Sequence, residues 1–166
     1  MMKYPDRHAA GVILAERLRQ YAHRSDVLVL ALPRGGVPVA YEVASALQAP
    51  LDVFIVRKLG VPGHSELAMG AIATGNIRVF NDDILRSMHI TEEEIHAVIA
   101  KEQEELKRRE LVYRGHRPFT SLEHQIVILV DDGIATGATV RAAIVALRTL
   151  NPDKLVLAVP VAQASL

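Results

Sequence analysis

Apolar and polar positions along the chain alternate between two kinds of stretch. The first kind is a short, unbroken apolar run. Ile126 to Val130 is the clearest, and such a run predicts a strand buried on both faces. Val27 to Leu32 and Asp52 to Val56 read the same way, and Lys154 to Pro160 predicts a last buried strand. Leu67 to Thr74 is small and apolar and predicts a further strand, turned at Gly75-Asn76 into an edge or hairpin strand over Ile77 to Phe80. The second kind has helical spacing. Asp6 caps a predicted helix to about His23, with Ala10, Leu14, Leu18 and Tyr21 on one stripe. Helices are also expected over Val39 to Leu47 and Val140 to Leu150, and a short one starts at Asp82 or Asp83. Thr91-Glu92-Glu93-Glu94 is a capping box that opens a long charged helix to about Tyr113, and Gly115 to His124 is a polar connection. The alternation predicts an α/β fold: a doubly wound, mainly parallel sheet with helices on both faces and a long helical insertion. No repeat or linker divides the chain, so residues 1–166 are expected to form one domain.

Sheets of this kind bind ligands beyond the carboxyl ends of their strands. Two strands here lead into loops suited to that task. After Val130 come Asp131-Asp132-Gly133-Ile134-Ala135-Thr136-Gly137-Ala138-Thr139, and then a helix. A tight loop at a helix N-terminus offers unpaired backbone N–H groups to an anion, and Thr136 and Thr139 add hydroxyl donors. The two carboxylates would repel a phosphate, so they are expected to face hydrogen-bond donors such as sugar hydroxyls, or a metal. The ligand implied carries a phosphate with a diol close by. After Leu32 come Pro33-Arg34-Gly35-Gly36-Val37-Pro38, a second glycine loop, with a cation, at a helix start. If strands 27–32 and 126–130 are central neighbours, both loops converge on one ligand.

At Ile126 to Thr139 the chain resembles the type I phosphoribosyltransferases, whose motif is an apolar strand, two acidic residues and a Thr/Gly-rich loop that binds phosphoribosyl pyrophosphate (PRPP). It departs from many members at Gly133, where a larger residue is common. The resemblance implies that Asp131 and Asp132 hold the ribose hydroxyls. The loop Ala135, Thr136, Gly137, Ala138 and Thr139 would then wrap the 5-phosphate, with Gly133 among the PRPP-binding residues. It implies that Arg34, Gly35 and Gly36 form the pyrophosphate loop, where members often have a non-proline cis peptide. Arg57 and Lys58 are expected to reach the pyrophosphate, with Lys58 contributing to catalysis. The implied reaction transfers ribose 5-phosphate from PRPP to a nitrogen acceptor, a nucleobase or related compound, releasing pyrophosphate. Mg2+ would bind chiefly through the substrate, with Asp131 or Asp132 contacting it through water and no direct protein ligand set. No aromatic residue follows Phe119, so an acceptor-binding hood is expected from the N-terminal helix and the 77–124 insertion. Gly60 to Ala68 has the content of a closing lid, with His64 and Glu66 as candidate acid-base groups.

Composition narrows the alternatives. Nineteen basic residues balance nineteen acidic ones, which gives no electrostatic case for nucleic acid or an anionic membrane. There is no cysteine, so disulfides and thiolate metal sites are excluded. With no apolar run long enough to span a bilayer, a soluble cytoplasmic protein is expected. The seven histidines lack metal-ligand spacing, and Asp82 and Asp83 read as a helix cap. There is no GxGxxG, and no Lys follows the loop as a P-loop requires. The helix 91–113 reads as a solvated face or a partner surface, and a homodimer remains open. Two other functions fit the same residues: a PRPP- or nucleotide-binding regulator without transfer activity, and a phosphate-ester hydrolase.

Overall fold

The structure, a computed structural model, describes residues 6–133 and 137–160. They form two compact units. The first contains the described residues up to Phe54, Ser121–Val140 and those from Leu150 onward. The second contains Ile55–Thr120 and Arg141–Thr149.

The first unit is built on four parallel strands: β1 (Val27–Ala31), β2 (Leu51–Val53), β6 (Ile126–Val130) and β7 (Lys154–Ala158). Their order is β2-β1-β6-β7. Every residue of β1 and β6 is buried, as their unbroken apolar runs require. On one face Val27, Val29, Ala31, Ile126, Ile128 and Val130 pack with Val39, Val43 and Leu47 of helix α2 (Gly36–Leu47). On the other face Leu28, Leu30, Val127 and Leu129 are equally buried. β7 differs from the expected buried strand. It lies at the edge of this sheet, and Leu157 is exposed. β7 also ends at Ala158 rather than Pro160.

Helix α1 (Arg7–Arg17) starts at Asp6, whose carboxylate accepts the N–H of Ala9 at 2.7 Å. It stops short of the expected His23. The Leu18 N–H is shared between the carbonyls of Leu14 and Ala15 at 3.1 Å, and a 3-10 turn follows over Arg19–Tyr21. α1 lies on α2 through Gly11, where a Cβ would come within 2.6 Å of the Glu42 Cβ and 2.8 Å of the Val39 carbonyl oxygen. His8 and Glu42 pair at 2.6 Å beside that contact. α2 begins three residues earlier than expected, because Pro38 sits in its first turn, where a missing N–H costs little.

The second unit is an antiparallel sheet, β3 (Val56–Val61), β4 (His64–Ala73) and β5 (Ile77–Phe80), in that order. With it come helices α3 (Asp82–Ser87) and α4 (Glu92–Arg114). The expected strand Asp52–Val56 is thus two strands in two sheets. The expected lid, Gly60–Ala68, is mostly hairpin: β3 and β4 join across Pro62-Gly63, and Gly63 has a φ of 79°. α3 is capped by Asn81, whose side chain accepts the Ile84 N–H, and neither Asp82 nor Asp83 is the cap. α4 carries the complete capping box of Thr91 and Glu94. Helix α5 (Ala138–Arg148) connects β6 to β7.

Candidate functional site

The strand order of the first unit creates a topological switch point. The chain leaves β1 through α2 to reach β2 on one side, and leaves β6 through α5 to reach β7 on the other. The loops after β1 and β6 therefore diverge at the carboxyl ends of two adjacent strands, which is the switch point where such sheets hold ligands. The strand tips are tied together. The Leu32 N–H donates to the Val130 carbonyl at 2.9 Å, and the Asp131 N–H to the Ala158 carbonyl at 3.3 Å.

Two glycines bring the loops into contact. The loop after β1 contains a cis Pro33–Arg34 peptide, and Arg34 is exposed. Gly35 is the N-cap of α2 with an ordinary right-handed helical φ of −65°, so its backbone would tolerate other residues. Its lack of a side chain matters for another reason: a Cβ there would collide with the Asp132 carboxylate. At Gly36 a Cβ would lie 2.7 Å from the Val130 carbonyl oxygen. Gly137, before α5, has a φ of 77° and needs glycine for conformation instead.

Asp131 and Asp132 are both half-buried. Burial pushes the Asp131 carboxyl up to about 6, and the neighbouring Asp132 charge adds to the rise, while the Asp132 N–H, donating to Asp131 Oδ1 at 2.9 Å, works against it. Asp132 has a cationic partner. Arg7 donates from Nε at 3.1 Å and from Nη2 at 2.9 Å, both to Asp132 Oδ2. Reading the motifs alone misses Arg7. The signal was its place in the first turn of α1, where the helix dipole disfavours a cation by about 0.3–1 kcal/mol and where an acceptor elsewhere is needed to offset that cost.

The first unit thus brings together Arg34, Gly35, Gly36, Asp131, Asp132 and Gly133, and it includes Gly137, Ala138 and Thr139 at the start of α5. Ala135 and Thr136 lie outside the described residues. Arg57 and Lys58 belong to β3 in the second unit. Arg57 is committed to Glu102 of α4, at 2.8 Å from Nε and 2.7 Å from Nη2. Lys58 is exposed. His64 and Glu66 stand 3.7 Å apart at the hairpin tip, both exposed. Among the described residues no three His, Asp or Glu side chains are grouped to hold a metal ion, and no helix is long and apolar enough to cross a membrane.

Comparison with known proteins agrees with this fold. The phosphoribosyl transferase domain model matches residues 7–166. "Putative phosphoribosyl transferase Rv0571c" of Mycobacterium tuberculosis strain H37Rv is 52% identical over 161 residues, 97% of this chain. The chain spans only 36% of that relative's length. Among solved structures, TT1426 from Thermus thermophilus superposes with a TM-score of 0.84 at 41% identity, covering 97% of this chain and 76% of that one. The purine phosphoribosyltransferase of Pyrococcus horikoshii shares the fold, with a TM-score of 0.53 at 19% identity over 95% of this chain and 74% of that one. Parallel sheet, paired acids and family match lead to one conclusion: the chain belongs to the type I phosphoribosyl transferase family.

Proposed function

We infer that this protein is a cytoplasmic phosphoribosyltransferase that transfers ribose 5-phosphate from PRPP to a nitrogen acceptor and releases pyrophosphate. The observation that carries the reading is Gly35 seated against the Asp132 carboxylate. It joins a glycine loop at one helix start to an acid pair leading into another, so a single ligand can meet both. In this reading Asp131 and Asp132 accept hydrogen bonds from the ribose hydroxyls. The loop through Ala135, Thr136, Gly137, Ala138 and Thr139 takes the 5-phosphate, and Gly133 belongs to the same PRPP site. Arg34 with the backbone at Gly35 and Gly36 takes the pyrophosphate.

The reacting carbon becomes cation-like as pyrophosphate leaves, so the work of the protein is to orient the sugar and stabilise the departing negative charge. In this reading Arg34 serves the second task, and Lys58 is proposed to contribute to it. Two adjacent half-buried carboxylates, without a third in reach among the described residues, suit a hard cation that keeps most of its ligands from substrate and water. Mg2+ arriving with PRPP, held through water by Asp131 or Asp132, would supply neutralising charge to the pyrophosphate.

The test offers Mg-PRPP with a panel of purines, pyrimidines and other amines and measures pyrophosphate release. Release that depends on one acceptor supports the transferase. PRPP binding without release for any acceptor would replace it with a regulator, and release of inorganic phosphate from simple esters would replace it with a hydrolase.

A further inference from the structure

We propose that Arg7 is a positioning residue for the sugar, acting through Asp132; the proposal rests on the assignment of the acid pair to a ribose above. Three observations on separate elements meet at this contact. First, α1 is held close to α2 by Gly11, with the His8–Glu42 pair alongside, so the N-terminus of α1 has a fixed seat. Second, Arg7 sits at the first position of that helix and directs two N–H groups to a single oxygen, Asp132 Oδ2, leaving Oδ1 outside the ion pair. Third, the carboxylate lies against Gly35, whose missing side chain is the only reason it fits. Asp132 is therefore gripped from two directions before any ligand arrives.

The grip has two consequences for a ligand that is both polyanionic and a diol. A paired carboxylate repels an incoming phosphate less than a bare one, because the guanidinium offsets its charge at contact distance. A carboxylate with one oxygen tied down also presents the other in a fixed direction, so less order must be imposed when a hydroxyl binds. Arg7 is exposed over about three-fifths of its side chain, so the pair is no structural keystone and its removal should leave the fold intact.

The test is a double-mutant cycle on Mg-PRPP affinity by calorimetry, using the full chain, with Arg7→Ala, Asp132→Asn and both together. Thermal unfolding is recorded in parallel, and Arg7→Lys serves as the conservative variant. Arg7→Ala is expected to weaken PRPP about tenfold with an unchanged unfolding temperature, Arg7→Lys to recover part of that loss, and Arg7→Ala to add nothing once Asp132 is Asn. Equal losses from Arg7→Ala in both backgrounds would overturn the proposal, since Arg7 would then act without Asp132. Unchanged or tighter binding in Arg7→Ala would overturn it too, the latter making the contact a competitor for the sugar's place. If the wild-type protein binds no PRPP, this proposal and the functional reading fall together. If it binds normally and only the Arg7 variants depart from expectation, the functional reading stands and this proposal alone fails.

Discussion

The two units solve the same problem, placing polar chemistry at the edge of a sheet, in opposite ways. In the first, β1 and β6 are buried throughout, and polar residues begin only where the strands end. Glycines at 35 and 36 then let the adjacent loop close onto the acid pair. In the second, polar residues lie along the strands: β4 is exposed from His64 to Leu67 and buried from Ala71 to Ala73. Its cation Arg57 is paired with Glu102 inside the unit. A parallel sheet concentrates its chemistry at one end, whereas an antiparallel hairpin distributes it, and in the first arrangement Gly35 lies against the acid pair.

The largest effect expected from breaking this contrast comes from Gly35→Ala. The backbone there is ordinary for alanine, so the collision with Asp132 is the lesion. Affinity for Mg-PRPP measured by calorimetry should fall by about a hundredfold, since one acid is displaced and the loops are pushed apart. The matching lesion in the second unit is Gly70→Ala, where a Cβ would run into the Val79 carbonyl oxygen across the β4–β5 pair. Its effect should appear as stability, about 1–3 kcal/mol lost in denaturant unfolding.

Acidity sharpens the comparison next. Burial pushes the folded Asp131 carboxyl up to about 6, above its usual 3.8. The folded state therefore binds more protons than the unfolded state between those values, so Asp131 contributes stability at low pH that is lost as pH rises through 6. Ligand binding should run the other way. Ribose hydroxyls need the ionised carboxylate as acceptor, so PRPP affinity should fall about tenfold per unit as pH drops below 6. Asp131→Asn should flatten both profiles at that point; a wild-type profile already flat there would remove Asp131 from the site.

Smaller effects separate the two basic residues of β3. Arg57→Ala leaves the mostly buried Glu102 without its partner and should cost about 1–2 kcal/mol in denaturant unfolding. Lys58→Ala, at an exposed position, should change stability by no more than about 0.5 kcal/mol while lowering turnover with PRPP. Unchanged turnover in Lys58→Ala would remove Lys58 from any catalytic role.

The same contrast explains what the sequence made legible. Burial on both faces writes itself as an unbroken apolar run, so Ile126–Val130 and Val27–Ala31 could be read almost residue by residue. The capping box at Thr91 was equally readable, because two side chains satisfy two backbone groups at a fixed spacing. The hairpin at Gly60–Ala68 was not. A strand end exposed on both faces has no apolar period, and Pro62-Gly63 gives it the composition of a loop. The break at Phe54-Ile55 was hidden for the opposite reason, since apolar residues continue across the step from one sheet to the other. Arg7 was hidden by distance along the chain: its partner is 125 residues away.

In the proposed reaction the acids bind the sugar while the loop that follows them binds phosphate. The measurement that tests this most directly is calorimetry of Mg-PRPP and of inorganic phosphate on the wild-type protein and on the double variant Asp131→Asn, Asp132→Asn. Losing two charged hydrogen-bond acceptors should weaken PRPP by about a hundredfold or more and leave inorganic phosphate binding unchanged. Equal loss of both ligands, or no loss of PRPP, would contradict the role given to the acid pair.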